Sequence, residues 1–363
     1  MKKIIAAVMS ILLVAAMFTG CKKQPVSEYT KYNDTFFDAF DTMIMVVAYT
    51  KTEQEFKDYF SKIEKRFLEL HKLYDIYNNY EGINNIKTIN DNAGIKPVKV
   101  NKEIIDLIEF SKDWSKRTDN HTNIAMGAVL KIWHDYREAG KDDPDNAKIP
   151  PMDQLKEAEK HTDISKVKVD VNNSTVYIED KDVSLDVGAV AKGYATELVA
   201  KEMEAAGLKS FIINAGGNVR TVGKPFDGIR ERWGIGIQDP DKSVTTDEDN
   251  LDTIFVSNKS VVSSGDYQRY YIVDGKRMHH LIDPKTLMPG DYFKAVTIVT
   301  EDSGVADFLS TTTFLLPYEQ SRALVESLEG VEALWVLKDG RIEATKGMEK
   351  IMKSKGATGA KAE

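Results

Sequence analysis

The order in which two periodicities appear along the chain limits its fold more than any other feature. Apolar residues first recur at three- and four-residue steps, so that Phe56, Phe60, Ile63, Phe67, Leu70 and Tyr74 share one face of a helix. A second helix is expected from Asn101, an N-cap residue followed by Glu103, to about Arg117, and a third within residues 121–136. Strand-like runs dominate the rest. Residues 40–49 form one, and 175–179, 183–187, 210–214, 233–237, 253–257 and 260–263 form a later series. Asp274-Gly275 and Asp339-Gly340 mark tight hairpin turns. Helices and strands in irregular order, with neither a repeated βαβ alternation nor an internal repeat, predict an α+β fold.

The ends say where such a domain would be placed. Lys2 and Lys3 precede an apolar run from Ile4 to Phe18, which is short for a membrane span and is expected to be a signal peptide over residues 1–20. Cys21 is the only cysteine of 363 residues, so no intrachain disulfide can form. Thr-Gly-Cys directly after an apolar run resembles the lipobox of bacterial lipoproteins, which implies lipidation of Cys21 and an anchor on the extracytoplasmic face of the membrane. Residues 21–34 are polar, without an apolar period, and are expected to be a tether; residues 353–363 are expected to be a frayed tail. The formal charge of −8 and the lack of a basic stripe exclude nucleic acid as an expected partner.

Three segments carry groups suited to chemistry. In LDVGAVAKGYATELVA, a glycine at 188 opens a helix with Lys192 in its first turn, and free backbone N–H groups there favour an anion. Asn214, Gly216 and Gly217 of INAGGN allow a close backbone approach to a flat or phosphorylated ligand, or form a plain turn. Neither segment has the spacing of a dinucleotide-binding or P-loop fingerprint. In SGVADFLSTTTFLL, Asp307 and Thr311 stand four apart on one face of an apolar helix. An aspartate in that setting needs a hydrogen bond, a charge partner or a hard cation such as Mg²⁺. The third segment, Ser263–Gly290, holds Asp266, His279, His280 and Asp283 around a hairpin, and either histidine has the side chain of a proton acceptor. A hydrolase triad has no support in the motifs.

Singly these signals are weak, but their order is specific. DVGAVAKGYA, NAGGN, SSGDYQRYYIVDGKRMHHLIDPKT and ADFLST, preceded by FDTMIMVVAY, YDIYNN and NIAMGAVLKIWHDY, closely resemble the FAD:protein FMN transferase family of ApbE-type flavin transferases. The resemblance spans nearly the whole chain after the tether, and implies one catalytic domain over residues 35–352. It implies a two-lobed fold related to the T-fold, with mixed, largely antiparallel sheets and the flavin in a cleft.

The same resemblance implies that the anion is the diphosphate of FAD, held with Mg²⁺ by the carbonyl of Ala189 and the side chains of Asp307 and Thr311. It implies FAD contacts at Phe40, where the family usually has Met, and at Tyr77, Asn123, Lys192, Asn214, Gly216, Gly217, Asp266 and His280. The implied reaction moves FMN to a threonine or serine hydroxyl of an acceptor protein, with AMP leaving and His280 or Asp283 accepting the proton. Lys192 would offset negative charge at phosphorus. The implied acceptor is an extracytoplasmic redox protein with an Asp-containing Gly-Ala-Thr site. FAD hydrolysis to FMN and AMP, a non-catalytic FAD-binding lipoprotein and a solute-binding lipoprotein are the alternatives, and Thr358 of the tail, in Gly-Ala-Thr, is a candidate for self-modification.

Overall fold

The computed structural model describes residues 28–242 and 250–360. Cys21 and the expected signal peptide lie outside the described residues. In chain order the elements are β1 (Thr30–Ala39), β2 (Thr42–Thr50), α1 (Glu53–Tyr74), α2 (Ile86–Asp91), β3 (Val98–Lys99), α3 (Lys102–Arg117), α4 (Gly127–Asp142) and α5 (Met152–Glu159). Then come β4 (Val167–Asp170), β5 (Thr175–Ile178), α6 (Ala191–Ala205), β6 (Phe211–Ala215), β7 (Asn218–Val222), β8 (Trp233–Gln238), β9 (Asn250–Val256) and β10 (Ser260–Gly265). The last are β11 (Tyr270–Val273), β12 (Lys276–His279), β13 (Phe293–Thr300), α7 (Ser303–Phe314), α8 (Tyr318–Ser327), β14 (Glu332–Leu337), β15 (Ile342–Ala344) and α9 (Lys346–Glu349). No helix among the described residues is long and apolar enough to cross a membrane.

The fold is α+β. Its centre is an eight-stranded sheet in the order β1-β2-β6-β7-β10-β13-β14-β15, in which every neighbouring pair is antiparallel. Side chains alternate across it with the two-residue period of a strand, and the alternation divides the core. Ile44, Val46 and Ala48 of β2, with Phe211 and Ile213 of β6, pack beneath α1 and α6. Val47 and Tyr49 turn to the opposite face, where Trp233 and Ile235 of the β8–β9 hairpin and Met348 cover them. Farther along the sheet, Val262, Val296 and Trp335 pack beneath α7 and α8 on the first face. Helices α6 and α7, which carry Lys192 and Asp307, therefore share one face of the sheet.

The expected periodicities mostly become elements. Helix α1 begins where Thr52 accepts a hydrogen bond from Glu55 N–H, and it buries Phe56, Ile63, Phe67, Leu70, Leu73 and Tyr74. Both Asp-Gly pairs close hairpins, β11–β12 and β14–β15. Four expectations are corrected. The run at 40–49 yields a strand only from Thr42, because Phe40 and Asp41 both take left-handed φ angles, 56° and 49°, and turn β1 into β2. Residues 30–34 are not tether: they belong to β1 and pair with residues 46–50 of β2. Residues 183–187 are not a ladder strand, although Val183, Leu185 and Val187 are buried; Leu185 N–H and Asp186 N–H donate instead to Asn90 Oδ1 and Ile124 O, both at 2.7 Å. The segment expected to be a frayed tail is docked as far as Ala360: Ser354 N–H donates to Asp252, and Glu231 N–H donates to Gly359 O at 2.8 Å.

Candidate active site

A cleft of about 410 Å³ opens on the helix-covered face of the sheet, lined from the β1–β2 turn, the loop after α1, α4, the segment leading into α6, β10 and α7. Its size lies within the range of small-molecule sites. Two regions of different charge make up its wall.

The first region lies where α6 meets α7. Gly193 lets the two helices touch: a Cβ there would stand 2.3 Å from Ser303 O and 2.4 Å from Asp307 Cβ. The contact brings Gly193 N–H to Asp307 Oδ2 at 2.7 Å. A free N–H of the first turn of α6 thus meets an anion of the chain itself, the Asp307 carboxylate. Burial pushes the Asp307 carboxyl above the usual carboxylate range, and the Lys192 ammonium opposes that shift. Burial likewise pushes Lys192 below the usual lysine range, with Asp307 opposing. Lys192 Nζ donates to Gly216 O at 3.3 Å, across a backbone held at φ 55°, where a side chain would strike Thr42.

Four hydroxyl residues follow one another on α7, and they behave differently. Ser310, Thr312 and Thr313 return hydrogen bonds to backbone carbonyls one turn earlier. Thr311, which lines the cleft with Asp307, makes no side-chain hydrogen bond among the described residues. Asn218 Nδ2, in the same wall, is buried with no hydrogen bond of normal geometry, and the Asn218 amide helps to hold the Asp307 carboxyl down. A carboxylate and a free hydroxyl oxygen in a buried corner are donors suited to a hard divalent cation. Ala189 lines the cleft at the segment leading into α6.

The second region is cationic. Arg137 and His134 of α4 and Arg269, between β10 and β11, line the cleft near Asp186 and Tyr77. Arg137 Nη2 and His134 Nδ1 stand 2.9 Å apart, and the His134 ring lies 5.4 Å from that of Tyr77. Burial pushes the Asp186 carboxyl up, while Gly188 N–H, at 2.9 Å, and the surrounding cations hold it down.

His280 sits between the two regions. Its backbone N–H donates to Arg269 O at 3.1 Å, and its ring Nδ1 is buried without a hydrogen bond. Burial, reinforced by Arg269 and His279, pushes its pKa down to about 3, so the imidazole is neutral at neutral pH. His279 has no such freedom: its Nε2 bonds Gly290 O at 2.8 Å, its Nδ1 accepts from Leu281 N–H, and its ring stands edge-on to Phe314. Of the two adjacent histidines, His280 is the one that lines the cleft.

Phe40, Tyr77, Asn123, Ala189, Lys192, Gly216, His280, Asp307 and Thr311 are brought together in the cleft wall. Asn123, however, spends its amide elsewhere: Nδ2 donates to Thr162 O, in the segment after α5, and Oδ1 accepts from Ala125 N–H in its own loop. Four expected residues lie outside the wall. Asn214 Oδ1 accepts from Gly217 N–H and fixes the glycine turn, with Gly217 itself facing open space. Asp266 is buried between Arg277 and Lys338, at 3.2 and 3.0 Å, and holds the base of the β11–β12 hairpin. Asp283 accepts from Lys285 N–H and shapes the turn after His280, so it is no candidate base. Thr358 is tied to the β8–β9 hairpin through its carbonyl, which accepts from Arg232, on the sheet face opposite α6 and α7; this removes the basis for self-modification within one chain. Asp186, His134, Arg137 and Arg269 had no spacing that marked them: they are charges from separate elements that only the folded chain gathers.

The ApbE family profile matches residues 40–335 of the chain. Among curated proteins, the chain is 32% identical over 275 residues to an FAD:protein FMN transferase of Treponema pallidum, covering 72% of this chain and 73% of that protein. It is 30% identical over 279 residues to one of Klebsiella pneumoniae, covering 76% and 83%. Among solved structures, the ApbE protein of Thermotoga maritima superposes with a TM-score of 0.74 at 29% identity, covering 89% of this chain and 99% of that one. The flavin transferase ApbE of Vibrio cholerae shares the fold, with a TM-score of 0.72 at 18% identity over 89% of this chain and all of its own.

Proposed function

Because the chain belongs to the ApbE family, we propose that it is an FAD:protein FMN transferase that moves FMN from FAD to a threonine or serine hydroxyl of an acceptor protein and releases AMP. The observation that carries this reading is the corner at which Asp307, free Thr311 and Lys192 face one cleft. A hydroxyl oxygen of the acceptor attacks the FMN-side phosphorus; the new P–O bond forms as the bond to the AMP oxygen breaks, and the hydroxyl proton passes to a base.

The residues fit a resident Mg²⁺, since the Thr311 hydroxyl and the Asp307 carboxylate, of which Gly193 N–H occupies only Oδ2, share one buried wall. In this reading Asp307, Thr311 and the carbonyl of Ala189 hold the cation. Bound there, it supplies neutralisation of the diphosphate charge. Lys192 adds positive charge beside the phosphates, and Gly193 N–H keeps the Asp307 carboxylate in one orientation. His280 lines the cleft with its Nδ1 unbonded, and the negative charge of a bound diphosphate would offset the cations that hold its pKa down, which is what it needs to take the hydroxyl proton. Lipidation of Cys21 would keep the enzyme on the extracytoplasmic face, beside redox proteins that carry an Asp-containing Gly-Ala-Thr acceptor site.

The test mixes the full chain with FAD, Mg²⁺ and a domain bearing that acceptor site. Mass spectrometry should find an FMN-sized gain on the acceptor threonine, lost with EDTA. Free FMN and AMP without that gain would mean hydrolysis, and intact FAD would mean a binding protein. Asp307→Asn should lower the rate by on the order of 10²-fold or more, and a wild-type rate in that variant would refute the metal assignment.

A further inference from the structure

Residues 193 and 197 of α6 are four apart, so Gly193 and Glu197 lie on one face, the face pressed against α7. The first contact is Gly193 N–H with Asp307. The second is made one turn later by Glu197, a carboxylate only 4% exposed. Its Oε2 accepts from Ser303 N–H, the first residue of α7, at 2.8 Å and from Arg220 Nε of β7 at 2.9 Å. Lys201 Nζ, at 3.3 Å from Glu197 and 3.2 Å from Asp302, closes the arrangement at its exposed edge. Asp302 is itself the N-cap of α7, accepting from Gly304 and Val305 N–H. Helix α7 thus begins between two carboxylates, one from its own chain segment and one from α6, where the positive end of the helix favours negative charge. Ser303 Oγ is buried without a partner, so the serine side chain offers no substitute.

Ser303, Asp307 and Thr311 follow at intervals of four along α7. Whatever fixes Ser303 against α6 therefore fixes the height and rotation of Asp307, one turn farther on, and of Thr311 beyond it. A carboxylate bound to a hard cation tolerates little displacement, because Mg²⁺ demands short and regular oxygen distances.

We infer that Glu197, held by Arg220, is a positioning residue that clamps the first turn of α7 onto α6 and so places Asp307 and Thr311 for the divalent cation. The inference rests on the metal assignment made above. Glu197 does not line the cleft and touches no reacting atom; its effect passes through the helix backbone.

Mn²⁺ titration of the full chain, followed by electron paramagnetic resonance, tests this without turnover. Glu197→Ala should weaken Mn²⁺ binding by about tenfold or more, the loss typical when a residue that orients a metal ligand is removed. Glu197→Gln, which keeps an oxygen for Ser303 N–H, should recover most of that loss. FAD binding without metal, read by flavin fluorescence, should change less than about twofold in either variant. Thermal unfolding and circular dichroism establish that each variant is folded, and if Glu197→Ala is not, Glu197→Asp, which withdraws the carboxylate by one methylene, takes its place. Native Mn²⁺ affinity in a folded Glu197→Ala or Glu197→Asp protein would overturn the inference and leave the transferase reading standing. Absence of Mn²⁺ binding by the wild-type chain would instead remove the metal assignment, and this inference with it.

Discussion

Replacing Gly193 by alanine sets two elementary expectations against each other. Inside a helix, alanine is favoured over glycine by about 1 kcal/mol, and nothing in the backbone of α6 at this position requires glycine. The neighbouring helix does. The added Cβ would stand 2.3 Å from Ser303 O and 2.4 Å from Asp307 Cβ, far inside contact distance and against backbone on one side. Helix α7 must move away by more than an ångström, at a cost of about 1–3 kcal/mol for overpacking. That movement also stretches the 2.7 Å bond from Gly193 N–H to Asp307, a charged hydrogen bond worth roughly 1.5–3 kcal/mol. The propensity gain offsets only part, leaving a net loss of about 1.5–5 kcal/mol. Urea unfolding of the two proteins should show a lower midpoint with an unchanged slope, and Mn²⁺ affinity should fall with it. A Gly193→Ala protein as stable as the parent, or more so, would refute the close-contact argument for this helix pair.

Two further perturbations follow from the same structure. The His280 imidazole takes a proton near pH 6.5 in the unfolded chain but only near pH 3 in the folded one, because burial and the cations Arg269, Arg137 and Lys192, with His279, oppose its charge. Between those values the unfolded state binds more protons, so the contribution is complete above pH 6.5 and is lost as pH falls, by at most about 1.4 kcal/mol per pH unit. Asp186 and Asp307, whose carboxyls are raised, act in the opposite sense. The difference between wild type and His280→Gln, measured by urea unfolding from pH 7 to 4, therefore isolates the histidine, and equal slopes in the two proteins would contradict it. Ending the chain after Met352 removes the partners of Asp252, Glu231 and Arg232, and should cost roughly 2–3 kcal/mol; an unchanged midpoint would mean that the docked tail adds no stability.

Much of the site was legible because helix geometry is local. The four-residue spacing of Asp307 and Thr311 put both on one face before any fold was known, and Lys192 in a first turn followed from the glycines around it. The resemblance to flavin transferases added the order of the motifs, and with it His280. The acids Asp266 and Asp283 looked equally suited to chemistry, standing beside the same hairpin. The fate of Asp266 depended on a neighbour far away in sequence: Lys338 is 72 residues from it, and it converts a candidate ligand into a buried ion pair. Proximity of the Asp283 carboxylate to Lys285 N–H made it a turn former.

The sequence by itself determined helices α1, α3 and α4, most of the later strands, the α+β class, both Asp-Gly hairpins and the axial alignment of Asp307 with Thr311, since each depends on backbone preferences and on apolar periods a few residues long. Tertiary structure decided which face of the sheet each helix covers, that β1 extends the sheet where a tether was expected, and that the tail lies on the face opposite the cleft. It also decided which charges stay free. A buried polar group must find a partner, and the partner comes from wherever the fold brings the chain back. Arg137 and Arg269 meet the buried Asp186 carboxyl for that reason, and Glu197 reaches the first turn of the helix that carries Asp307.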